Sequence, residues 1–255
     1  MAESNFNKIP ELKHVEEVKP VSVEFFANTI HNRRSVRVFT DEKVPEAVMQ
    51  EVLDWGLLAA NSSNLQCWRF YWVKNPEKKQ KLVAALMNQP AARTAQELIV
   101  AVAQLDGWKT TRQQMLEEFK KHDDVPESAL AYYKKLVPFA YTQGPLSIIG
   151  FGKRIFMTIA GLFQPIPREP KSHSDMRVWG AKSTALACQN LMMGFTAHGF
   201  DTCPMEGFDS SRVKKILNLD GNAEVTMVIS VGKRAKNGVY GPRIRMPRDQ
   251  FIKIV

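Results

Sequence analysis

Two short segments, far apart in the chain, carry arginines that could bind a phosphate group. They comprise Arg33, Arg34, Ser35 and Arg37 near the start, and Arg243 and Arg245 near the end. Guanidinium groups form paired, charge-assisted hydrogen bonds to phosphate oxygens, and a nearby hydroxyl can add another bond. An extended backbone would direct Arg34 away from the other three residues of the first segment. A solvated, charged edge strand explains that segment equally well, so its pattern leaves both interpretations open.

Two further segments could hold a flat polar ligand. The first is a run of short amides and hydroxyls typical of a loop, and it contains Asn61, Ser62, Ser63, Asn64 and Gln66. These side chains can hydrogen-bond a heterocycle or a ribityl chain. The second is a predicted loop over 201–209, which contains Pro204, Met205, Glu206 and Gly207. Its backbone N–H and C=O groups can face a ligand, although any buried helix must be followed by some loop.

Composition and motif content narrow the class of protein. The chain has 255 residues and a formal charge of +9, which admits nucleic acid, an anionic membrane surface or a small phosphorylated ligand as partner. Nucleic-acid binding is disfavoured because the arginines gather in two short segments and do not form stripes interleaved with aromatics. The histidines show no metal-ligand spacing, and no nucleophile elbow, P-loop or complete dinucleotide fingerprint occurs. Any chemistry therefore has to come from a bound cofactor.

The cysteines and the longest apolar run bear on cellular location. Cys67, Cys188 and Cys203 lack C-x-x-C spacing, which predicts reduced thiols in a cytoplasmic protein. The first twenty residues do not have the pattern of a secretory signal. The apolar run over 146–163 is interrupted by Lys153 and Arg154, so we expect no stable membrane span.

Apolar periodicity predicts the elements that position these segments. Helices are expected to end near Asn32, to begin at Pro45, to extend from Pro76 to Met87 and to run from Trp179 to Phe200. The last of these helices is apolar on nearly every side, which predicts burial all round. Strands are expected over 69–73, 97–104 and 225–231. The chain is expected to form an N-terminal arm over 1–22 and a single domain over 23–255.

The region over about 105–176 has a different pattern. Helical stretches are predicted over 111–121, 128–137 and 146–163, with no run that could form a sheet of its own. We interpret this region as a helical cap inserted in the domain. Phe156, Met157 and Phe163 could roof a ligand pocket, although such residues more often belong to a core.

Four segments, taken in chain order, resemble the signature segments of the FMN-dependent nitroreductase family. They are 33–37, 61–68, 204–209 and 242–247. The similarity extends from about Val23 to the C-terminus, apart from the cap. It implies an α+β fold with a central, mostly antiparallel sheet flanked by helices. It also implies a homodimer with two FMN sites at the subunit interface.

The resemblance implies a role for each candidate residue. The first arginine segment would hold the FMN phosphate and ribityl chain, and Arg243 and Arg245 would complete the phosphate clamp. The loop 61–64, with Gln66 behind it, would reach the flavin from the partner subunit. The turn 204–207 would lie beside the isoalloxazine, with the Glu206 backbone N–H directed at flavin N5. Asn88 would contact the pyrimidine edge of the ring.

The implied activity is electron transfer from NAD(P)H through FMN to nitroaromatics, quinones or similar electron-poor acceptors, by a ping-pong mechanism without a side-chain nucleophile. The alternatives are a reductive dehalogenase or flavin-processing enzyme on the same fold, and a non-catalytic flavin-binding module.

Three positions depart from the family pattern. Ala60 and Cys67 stand where many members have proline, and Ala91 stands where well-known members have lysine. Either Arg93 or a backbone group replaces that lysine, or the flavin potential differs.

Overall fold

A computed structural model describes residues 17–145 and 148–255. Most of the predicted N-terminal arm, residues 1–16, lies outside this part. The same is true of residues 146 and 147, where the third helix of the cap was predicted to begin. The described chain is built around one four-stranded sheet, with helices packed on both of its faces.

Every strand pair in the sheet is antiparallel. The strands are β1 (Trp68–Trp72), β2 (Glu97–Gln104), β3 (Asp201–Met205) and β4 (Ala223–Gly232). Their spatial order is β1-β2-β4-β3, so β1 and β3 are the edges. The three predicted strands are confirmed to within about two residues at each end.

Helices supply the two outer layers and the cap. They are α1 (Val23–Asn32), α2 (Glu46–Leu57), α3 (Pro76–Ala85), α4 (Pro90–Thr94), α5 (Trp108–Phe119), α6 (Glu127–Ala131), α7 (Val137–Tyr141), α8 (Ile148–Ala160), α9 (His173–Ala197) and α10 (Ser210–Leu217). A π-helical turn, Tyr132–Leu136, joins α6 to α7. Between residues 105 and 172 the described chain contains helices and connections only, as predicted for the cap.

The alternation of side chains along β2 explains the layering. Leu98 and Val100 pack into one core cluster with α3 and α10, whereas Ile99 and Ala101 pack into another with α2 and α9. Successive residues of a strand face opposite sides of a sheet, so an unbroken apolar strand needs cover on both sides. This arrangement confirms the predicted α+β fold.

The prediction of a loop over 201–209 was wrong for its first five residues. These residues form β3, which pairs with β4 from Asp201 opposite Gly232 to Met205 opposite Val228. Pro204 obscures the strand in the sequence because proline cannot donate to a ladder. It is tolerated here because β3 is an edge strand of the sheet, and the isolated bridge of Ser35 to Thr202 on its outer side does not involve Pro204.

The long helix α9 crosses the sheet on one face. Its 25 residues span about 37 Å at 1.5 Å per residue. Leu191 and Phe195 are fully buried, but Val178 and Leu186 are 54% and 51% exposed in a single chain. Burial on nearly every side was therefore a wrong prediction. The helix ends with His198 as its cap, followed by Gly199 with φ of +75°.

Candidate functional site

The two arginine segments meet around one cavity of about 260 Å³. The first segment leaves the end of α1 and runs beside the edge strand, where Val36 donates its N–H to the Thr202 carbonyl at 3.0 Å. Val36 is completely buried and fixes the segment on the core. The C-terminal segment 239–245 passes over it. The cavity is lined by Arg33, Arg34, Ser35, Arg37, Arg243 and Arg245, together with Tyr240 and its neighbours.

Hydrogen bonds from the arginines themselves join the two segments. Arg243 donates to the carbonyls of His31 and Arg33, each at 2.7 Å, and Arg34 donates to the Gly241 carbonyl at 2.6 Å. The expectation that Arg34 would point away was wrong, because its long side chain reaches the C-terminal segment. These contacts fix the backbone around the cavity. Within the described residues, the guanidinium groups of Arg37 and Arg245 donate only to carbonyls of their own segments.

The cavity concentrates positive charge. Within the described residues none of its five guanidinium groups forms an ion pair, and no carboxylate lines it. Burial lowers the pKa of Arg33, and the neighbouring guanidinium groups of Arg243, Arg245 and Arg34 lower it further. Like charges brought together at close range repel, so this arrangement favours an anion that accepts several charge-assisted bonds.

The strand β3 links the arginine cavity to the Glu206 turn. Ser35 pairs with Thr202 in an isolated parallel bridge, and Glu206 follows Thr202 by four residues. At about 3.3 Å per residue, the turn lies roughly 13 Å along the strand. Glu206 and Gly207 are exposed, whereas Met205 before them is buried. Glu206 itself lines a second cavity of about 630 Å³, which none of the five arginines of the first cavity lines.

The turn over 87–89 holds the Glu206 turn in place. Met87 and Asn88 both have positive φ, at 57° and 50°, which brings the chain sharply round after α3. Gln89 Nε2 then donates to the Gly207 carbonyl at 2.8 Å. Asn88 is exposed beside this contact. Sequence reasoning identified Asn88 but missed Gln89, whose only signal was its position next to Asn88.

The side chains of the polar loop form hydrogen bonds with other groups of the same chain. Asn61 Oδ1 accepts from the Gln66 backbone N–H at 2.8 Å, and Gln66 Nε2 donates to Asn64 Oδ1 at 3.2 Å. Ser62 and Ser63 hydrogen-bond tyrosine hydroxyls of the cap: Ser62 with Tyr141 at 2.9 Å, and Ser63 with Tyr132 and Tyr141. The cap therefore shapes a loop that the sequence marked as a ligand contact.

The loop and the Glu206 turn approach a common stretch of α9. Asn61 and Ser62 line a cavity of about 420 Å³, and both Val178 and Lys182 line it as well. The same two α9 residues line the cavity that contains Glu206. The structure thus brings together the arginines in one place, and places the loop and the turn on either side of α9.

The predicted roof is not formed within one chain. Phe156 and Phe163 are 58% and 85% exposed, and Met157 is buried on the opposite face of α8. None of the three lines the cavities described above. Among the residues that the structure describes, no cluster of three or more His, Cys, Asp or Glu side chains is arranged to hold a metal ion.

Replacing Tyr133 with phenylalanine should weaken the anchoring of the polar loop. The Tyr133 hydroxyl donates to the Ser63 carbonyl at 2.9 Å, and burial raises the pKa of this phenol, so it stays protonated. Losing one buried bond should lower the free energy of unfolding by about 1 to 2 kcal/mol. Chemical denaturation measures this change. Tyr71→Phe is the matched control, because the Tyr71 hydroxyl makes no hydrogen bond within the described residues, and equal losses would refute the anchor.

Comparison with known proteins identifies the family to which this chain belongs. A Thermus thermophilus protein named NADH dehydrogenase is 26% identical over 220 residues, which cover 86% of this chain and 91% of that protein. The Bacillus subtilis protein YdgI, whose name assigns it as an NAD(P)H nitroreductase, is 27% identical over 231 residues, covering 89% and 96% of the two chains. A solved structure from Exiguobacterium sibiricum, assigned as a nitroreductase and in complex with FMN, has a TM-score of 0.67 at 21% identity and covers 90% and 97%. The model of the Nitroreductase family matches residues 30–233, so the chain belongs to that family.

Proposed function

We propose that the protein is an FMN-dependent oxidoreductase that transfers electrons from NAD(P)H to nitroaromatics, quinones or similar electron-poor acceptors. One observation carries the proposal: two distant arginine segments converge on a cavity that contains no carboxylate. The similarity to a structure in complex with FMN supports the cofactor. The names of the relatives from Thermus thermophilus and Bacillus subtilis support a nicotinamide donor.

The cavity fits the phosphate end of FMN. Its volume of about 260 Å³ is below the roughly 300 to 1,000 Å³ of pockets that enclose a drug-sized ligand. The phosphate would bind Arg33, Arg37 and Arg245 inside it, with Ser35 adding a hydroxyl. The ring would then extend along β3 toward Glu206, over the roughly 13 Å that separate Thr202 from the turn.

The protein supplies orientation and polar contacts, and bound FMN supplies the redox chemistry at its ring. The Glu206 backbone N–H and the Asn88 side chain are the proposed polar contacts to the ring. Gln89 positions the turn through its bond to the Gly207 carbonyl. Preorganised N–H donors cost no reorganisation when charge develops on a ligand, so a fixed turn favours the reduced cofactor.

We also propose that two copies of the chain complete the site. The apolar side chains of α1 are exposed, with Val23 at 83% and Phe26 at 55%, as are Ile244 and Phe251 near the C-terminus. Exposed apolar patches of this kind mark surfaces that associate. A partner covering them could bring its own loop 61–66 to the flavin. The single-domain organisation over 23–255, with the cap as an insertion, belongs to the same proposal.

The experiment is reconstitution followed by steady-state kinetics. Protein mixed with FMN should turn yellow, retain the colour through desalting and oxidise NADH or NADPH when a quinone or nitroaromatic is present. Parallel double-reciprocal plots are expected for a ping-pong mechanism. A protein that retains FMN but does not oxidise either nucleotide would be a flavin-binding module. A colourless protein that refuses FMN would overturn the proposal.

A further inference from the structure

The cap helix α8 exposes an apolar stripe along its whole length. We call this stripe the outer face of α8. It consists of Ile148, Phe151, Ile155 and Ile159, continued by Leu162 just after the helix. The spacings of three and four residues place them on one side of a helix. Their exposed fractions run from 49% to 77%, although surface helices normally turn such a stripe toward the core.

The opposite face of α8 fixes this orientation. Lys153 is buried, and its ammonium donates to the carbonyls of Ala140 at 2.8 Å, Phe139 at 3.1 Å and Pro170 at 3.4 Å. Gly150 is also buried, and an added Cβ there would lie 2.2 Å from the Lys171 carbonyl oxygen. The helix therefore cannot rotate its outer face inward without breaking these contacts.

The sequence around the outer face is mainly basic, with Arg154 on α8 and Arg168 bonded to the Gly161 carbonyl just after it, and exposed Glu169 follows this stretch. Residues 128–168 contain no aspartate or glutamate and five basic residues: Lys134, Lys135, Lys153, Arg154 and Arg168. All except Lys153 are exposed. An apolar stripe flanked by cations is complementary to an anionic lipid surface, where the apolar side chains enter the acyl boundary and the cations meet the headgroups.

The length of α8 decides how it could contact a bilayer. Its 13 residues span about 20 Å, short of the roughly 30 Å hydrocarbon core. None of the described helices is long and apolar enough to cross a membrane. We propose that the outer face of α8 docks this protein on anionic membrane surfaces, with the helix lying in the plane of the interface.

A second copy of the chain is a less suitable occupant of the outer face. Two copies packed symmetrically through α8 would bring their Arg154 side chains together, and α8 itself carries no acidic residue that could neutralise them. Like charges at close range disfavour that contact. The proposed subunit interface uses α1, Ile244 and Phe251 instead, so the two proposals concern different surfaces and can fail separately.

Vesicle co-sedimentation of the full chain tests the proposal. Vesicles of phosphatidylcholine alone are compared with an equimolar mixture of phosphatidylcholine and phosphatidylglycerol. We expect binding to the mixed vesicles to be at least about tenfold stronger and to weaken with added salt. Ile155→Glu should reduce it by a further factor of about ten or more, because the charge enters the apolar boundary.

The matched control is Leu58→Glu, since Leu58 is 80% exposed and lies outside α8, α1 and residues 239–255. It should bind vesicles as the unmodified chain does. Circular dichroism confirms that both variants are folded. Failure to bind mixed vesicles, or equal losses in the two variants, would overturn the proposal. So would dissociation of a lipid-free oligomer by Ile155→Glu alone, which would make the outer face an interface between copies.

Discussion

Replacing Arg245 with alanine should weaken FMN binding by about 10- to 100-fold while leaving the fold intact. A charge-assisted hydrogen bond contributes about 1.5 to 3 kcal/mol, and about 1.4 kcal/mol corresponds to a tenfold change in affinity. Arg245 is exposed, and within the described residues its guanidinium hydrogen-bonds only the carbonyl of the preceding residue, so its removal costs little stability. Flavin fluorescence titration of the apoprotein measures the affinity.

Arg37→Ala should behave similarly. The Arg37 guanidinium lies 5.5 Å from the centre of the Tyr240 ring, and that ring helps to aim it into the cavity. Arg154→Ala is the control, because Arg154 is an exposed arginine on α8 that does not line the cavity. Equal losses of affinity at all three positions would show that overall charge, and not a local clamp, attracts the ligand.

Replacing Asp201 with alanine should lower the free energy of unfolding by about 3 kcal/mol. Asp201 is 6% exposed and accepts from the Arg234 guanidinium through both carboxylate oxygens, with the Nε contact at 2.9 Å. It also accepts from the Arg234 backbone N–H. Removing one partner of such a pair leaves the other charge uncompensated, which costs about 3 to 5 kcal/mol when both are fully buried. The partial exposure of Arg234 supports the lower value.

The same substitution should also reduce FMN affinity. Arg234 donates to the Asn32 carbonyl at 3.1 Å, directly before the first arginine segment. Urea denaturation gives the loss of stability, and titration gives the loss of affinity. The control is Glu46→Ala, which breaks an exposed pair with Lys74 and should change stability by no more than about 0.5 kcal/mol. A comparably small effect of Asp201→Ala would show that the Asp201–Arg234 pair does not stabilise the junction between β3 and the first arginine segment.

The elements with strong local signals were predictable from the sequence. β2 was predicted at its observed bounds because eight consecutive residues with an apolar centre fit a strand covered on both faces. The helix before Arg33 was predicted to end where it does. The four candidate segments were found because their residue types indicate ligand binding without knowledge of the fold. Arginines bind phosphate, short amides hydrogen-bond a polar ligand, and a proline–glycine turn exposes backbone groups.

The features that were not predicted from the sequence depend on tertiary contacts. β3 was missed because a proline normally interrupts a strand, and only its edge position permits it. Gln89 was missed because its role depends on reaching Gly207, 118 residues away. The exposure of Val178, Leu186 and the outer face of α8 was unexpected, because periodicity identifies apolar faces without identifying what covers them.

The central claim is that the arginine cavity binds the phosphate of FMN. Titration of the apoprotein with FMN and with riboflavin, which lacks the phosphate, tests it most directly, using the unmodified chain and Arg245→Ala. We expect the unmodified chain to prefer FMN by about 100-fold or more, as several charge-assisted bonds would give, and the variant to lose most of that preference through FMN alone. Equal affinities for FMN and riboflavin, or equal losses of both in the variant, would contradict the account.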